Sequence, residues 1–110
     1  MQGVRSIVEQ LLKSGTAIGA NLEEAKAGSS KRDFVKYVEI SLREARETVY
    51  WLRIFLALQI GPRPEVQDLC GEAEQIARIL GAIVVNSKPR LRFGSAVFAF
   101  CILHVALLTS

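Results

Sequence analysis

The chain has 110 residues, half of them apolar, which suits one domain with a hydrophobic core of its own. Two cysteines, Cys70 and Cys101, stand far apart, so neither a disulfide framework nor a zinc site is indicated, and a reducing cytoplasm is the expected setting. The net charge is +3, but residues 1–74 hold ten basic and eleven acidic groups, while residues 75–110 hold Arg78, Lys88, Arg90 and Arg92 and no acid. The basicity is terminal rather than spread along the body, so charge alone gives only weak support for a face that would track a phosphate backbone.

Met1 to Gly3 runs directly into a mixed segment with Arg5 and Glu9, which is no export signal. Val4, Ile7, Val8, Leu11, Gly15, Ile18, Leu22 and Ala25 then recur at spacings of three and four, predicting an amphipathic helix from about residue 4 to residue 27. Gly15 and Gly19 lie inside it beside Ala17 and Ala20, and each costs roughly 1 kcal/mol against alanine in a helix interior. The expected compensation is close approach of a neighbouring helix or subunit at Gly15, Gly19 and Ala20; the alternative is a kink or a helix end. Asn21, beside the stripe, suits either a bond to a partner helix or solvent.

Ser30 followed by Asp33 resembles a capping box with a short acid. Phe34, Val38, Leu42, Ala45, Val49, Leu52 and Leu56 carry the second helix to about Ile60, and Gly61-Pro62-Arg63-Pro64 stops it. Pro64 fits the first turn of a third helix, with Glu65 and Asp68 at its positive end. Val66, Leu69, Ala73, Ile76, Leu80 and Ile83 form its stripe, and Asn86-Ser87-Lys88-Pro89 ends it. Three long helices with short connections predict an all-α, antiparallel up-down bundle.

LLKSGTAIGANLEEA, followed after a polar break by SKRDFVKYVEISLREARETVYWLRIF, resembles the four-helix-bundle family of proteins encoded in intervening sequences of bacterial 23S ribosomal RNA genes. A looser match continues through EAEQIARILGAIVVNSK, so residues 1–90 are read as the family domain. The resemblance implies a bundle that assembles as a homopentamer, without cofactor or catalytic activity. A relative, the accessory protein of diversity-generating retroelements, binds nucleic acid and a reverse transcriptase, so RNA or DNA is an implied partner. Family members carry a complete helix ahead of the LLKSG segment, which here stands almost at the start of the chain.

Residues 91–110, LRFGSAVFAFCILHVALLTS, are a tail atypical of that family. From Ala96 to Leu108 it is apolar except for His104, thirteen residues where a membrane span needs about twenty. The expectation is an apolar C-terminal helix filling the fourth bundle position, antiparallel to the third helix. The alternatives are a membrane anchor flanked by Lys88, Arg90 and Arg92, and a nonfunctional remnant with a chance extension.

Catalysis finds little footing. Glu23, Glu24, Glu44 and Glu47 lie on long helices, but a di-metal carboxylate site needs Glu-x-x-His pairs, and Cys101 stands three residues before the single histidine. These acids fit solvated faces and ion pairs such as Glu39 with Arg43 or Arg43 with Glu47. No phosphate loop or dinucleotide fingerprint occurs, and no small-molecule substrate is indicated. Tyr50, Trp51 and Arg53 leave the second helix's core stripe and form a candidate subunit interface, since aromatics and arginine are enriched there. For nucleic acid the candidates are Lys13, Lys26, Lys31, Arg32 and Lys36, near the first loop.

Overall fold

The computed structural model describes residues 2–87 and 102–108, and all of their regular structure is helical. Helix α1 spans Gln2–Ala27, α2 spans Lys31–Leu58 and α3 spans Arg63–Ser87. Ser30 caps α2, its hydroxyl accepting the Asp33 N–H at 3.1 Å. That bond replaces one of the amide partners a helix start lacks. At the other end α2 stops two residues before the expected Ile60. Gln59 takes the left-handed conformation at φ 55°, the Ile60 N–H reaches the Phe55 carbonyl at 2.9 Å, and the Gln59 N–H reaches that of Leu56 at 3.3 Å. This is a Schellman closure with glutamine at the position that glycine usually fills. Gly61, at φ 76°, then turns the chain into α3.

Helix α2 is the spine of an all-α, up-down bundle. It packs against α1 on one side and α3 on the other, while the backbones of α1 and α3 do not approach each other. Val38, Leu42 and Ala45 of α2 are buried with Ala25 of α1 and Leu80 and Val84 of α3. Toward the α2–α3 turn, Val49, Leu52 and Phe55 bury against Val66, Cys70 and Ala73, with Ile7, Val8 and Leu11 of α1 resting on them.

The contact between α1 and α2 differs from the expected one. Ser14, not Gly15, is the α1 residue sealed against α2, at 2% exposure. Among the described residues, a Cβ at Gly15 or Gly19 would meet nothing within 4 Å, so neither α2 nor α3 approaches closely there. The close approach runs instead through hydroxyls. Ser41 Oγ donates to the Ile18 carbonyl at 2.8 Å. Thr48 Oγ1 lies 3.0 Å from Ser14 Oγ and 2.8 Å from the Glu44 carbonyl, so its single proton serves one of the two. Ser14 Oγ donates in turn to the Leu11 carbonyl at 3.2 Å. Asn21 neither crosses to a partner helix nor points to solvent alone: its Nδ2 donates to the Ala17 carbonyl of its own helix at 2.8 Å.

The tail corrects a second expectation. Residues 102–108 are helical, but every one of them is exposed, so this segment does not fill the fourth position beside α1 and α3. Apart from His104 its side chains are apolar, so the segment has no broad polar face to turn to water when one side is covered, and no single stripe that fixes it on a neighbour. Residues 91–101 and 109–110 of the expected tail helix lie outside the described residues. No helix among the described residues is long and apolar enough to cross a membrane.

Candidate interaction surfaces

At 3.6 residues per turn, the side of α2 opposite its core stripe carries Tyr50, Trp51, Ile54 and Leu58. Tyr50 is 55% and Leu58 57% exposed, while Trp51 and Ile54 are half-buried. The Tyr50 and Trp51 rings meet edge to face, with centroids 5.0 Å apart and planes at 75°. Glu47, expected to pair with Arg43, instead accepts the Trp51 Nε1–H at 3.3 Å. This occupies the indole's only donor, so the ring presents an apolar face to any partner. Arg53, the third member of the expected interface, is tied into the chain. Its Nη2 donates to Glu74 Oε1 at 3.3 Å, joining the outer edges of α2 and α3.

Glu74 also stands 3.6 Å from the Cys70 thiol, which burial foremost, and then the adjacent carboxylate, push up from an ordinary pKa of 9.0. Cys70 is thus a protonated packing residue at neutral pH, not a nucleophile.

The candidate cations divide. Lys26, Lys31 and Arg32 meet at the α1–α2 turn, and Lys36 follows one turn along α2 with its Nζ 5.2 Å from the Tyr37 ring centre. Lys13 stands thirteen residues from Lys26, about 20 Å down α1 at 1.5 Å per residue, and does not join them. Lys26 is paired with Glu23 at 3.5 Å, and Glu24 and Asp33 lie at the same end.

Pocket chemistry is sparse. Phe55, Leu56, Gln59, Ile60, Gly61 and Arg63 line a cleft of about 240 Å³ at the α2–α3 turn. That is below the ~300–1,000 Å³ of small-molecule sites. No group of three or more His, Cys, Asp or Glu among the described residues could hold a metal ion.

An all-helical bundle with an aromatic outer face defines a helical-bundle protein. The chain belongs to the 23S rRNA-intervening sequence protein family, whose model matches residues 3–82. It is similar to a solved structure from Bacteroides thetaiotaomicron VPI-5482, a protein with unknown function from the S23 ribosomal protein family. The identity is 35% and the TM-score 0.68, over 71% of this chain and 72% of that one. A comparison with curated proteins finds no significant match.

Proposed function

We propose that this protein is a non-catalytic assembly module that self-associates through the outer face of α2. The observation that carries the reading is the gathering of Tyr50, Trp51, Ile54 and Leu58 on the side of α2 opposite its core stripe, with Tyr50 and Leu58 exposed and Trp51 and Ile54 half-buried. Aromatic residues dominate the energetics of protein interfaces because they bury large area with few rotamers to freeze. The Trp51–Glu47 bond satisfies the one polar group of the indole in advance. A ring of five copies is what the family resemblance implies; it would pair this face with a second, complementary patch on the next copy. Phosphate binding finds less support, because Glu23, Glu24 and Asp33 sit among the cations of the α1–α2 end and repel a phosphate backbone there.

Trp51 is the only tryptophan, so its emission reports on this face directly. Raising the protein concentration should shift that emission to the blue as the ring leaves water. An emission that stays red at every concentration overturns the proposal.

A further inference from the structure

A second apolar surface, separate from the outer face of α2, lies in the trough between α1 and α3. Glu74, held by Arg53, marks the outer flank of α3, and Ile76, Ile79 and Ile83 lie on the opposite flank, turned toward α1. On α1 the facing flank carries Val8, Gly15 and Gly19. Ile76 and Ile79 are exposed, and added Cβ atoms at the two glycines would stand in open space. Aliphatic side chains on one wall and bare backbone on the other suit an apolar helix lying close against α1.

The chain supplies a helix of that chemistry. Residues 102–108 carry one polar side chain, His104, and Ile102, Leu103, Val105, Leu107 and Leu108 are all more than half exposed. Seven helical residues are about 10 Å long, the same as the rise from Ile76 to Ile83. A helix this apolar draws its stability from burial rather than from intrinsic propensity, so its helicity calls for burial. Residues 102–108 do not obtain that burial in their own chain, where all seven are exposed.

We propose that residues 102–108 of one chain seat in the α1–α3 trough of a second copy, and that the exchange is reciprocal. Two tails traded between two troughs form a self-complementary contact that closes at two copies. An antiparallel course beside α1 and α3 completes four-helix packing in each half. Gly15 and Gly19 then have their close neighbour in the exchanged helix rather than in a helix of their own chain.

The test uses the full chain carrying Trp51→Asp and Leu58→Asp, which removes association through α2. Light scattering should give two copies. Adding Ile76→Lys and Ile79→Lys in the trough, or Leu103→Lys and Leu107→Lys in the tail, should halve the mass; both trough positions are exposed, so circular dichroism should be unchanged. Mixing the trough variant with the tail variant should restore a two-copy species, because the intact tail of one fits the intact trough of the other. A single-chain mass before the trough or tail changes overturns the proposal, as does a mixture that remains at one chain. Recovery only with detergent overturns it in favour of a lipid surface. As a second readout, amides 102–108 should gain hydrogen-exchange protection with concentration; protection independent of concentration would place the tail in its own trough and refute the exchange.

Discussion

Helix α2 meets its two neighbours by different chemistry. Against α3 the seam is apolar, with Val49, Leu52 and Phe55 on Val66, Cys70 and Ala73 and a single ion pair, Arg53–Glu74, at its outer edge. Against α1 the seam is built on Ser14, Ser41 and Thr48 around Ala45, small residues whose hydroxyls cross between helices. Apolar contacts supply burial but tolerate sliding. A hydroxyl buried against one particular partner fixes register, because a shift leaves it unpaired in a dry environment. No buried side-chain nitrogen or oxygen among the described residues lacks a partner. The α2–α3 seam accordingly carries the larger share of stability, and the α1–α2 seam sets where α1 stands.

Phe55→Ala attacks the apolar seam and should cost the most, about 3–5 kcal/mol, read as a lower midpoint in urea unfolding. Thr48→Val breaks the polar seam while keeping its volume. It should cost about 1 kcal/mol, and combining it with Ser14→Ala should cost less than the sum of the two, since either change alone already removes the contact between the two hydroxyls. Full additivity would show that the hydroxyls do not act as a pair. The smallest effect separates the seams by pH. The Cys70 thiol titrates higher in the folded chain than in the unfolded one, so its contribution is complete below the unfolded pKa and is lost as pH rises through the folded pKa. Stability should therefore decline on the alkaline side of pH 9, and Cys70→Ala should remove that part of the decline.

The apolar seam was legible in the sequence, and the polar one was not. Val38, Leu42, Ala45, Val49 and Leu52 follow helical spacing, and the Ser30 cap follows from its place before Asp33. Ser14 and Thr48 read as ordinary polar helix residues, because nothing in a one-dimensional pattern distinguishes a hydroxyl facing water from one facing another hydroxyl thirty-four residues away. The glycines in α1 suggested close packing, but no other helix among the described residues stands within 4 Å of a Cβ added at either, and they face the trough rather than α2. The Gln59 closure was hidden for a related reason: Gly61 and Pro62 are stronger stop signals, and a non-glycine left-handed residue gives no warning in composition. Of the candidate interface, Tyr50 and Trp51 lie where periodicity put them, on the outside of α2, whereas Arg53 faces Glu74, twenty-one residues further along the chain.

The central claim is that the outer face of α2 joins copies of this chain. Solution mass by light scattering, measured on the full chain and on the Trp51→Asp, Leu58→Asp variant, tests it most directly. The account predicts a mass of at least five copies for the former and a fall to the two-copy, tail-exchanged species for the latter, with helical content unchanged. Equal masses for the two proteins would contradict it.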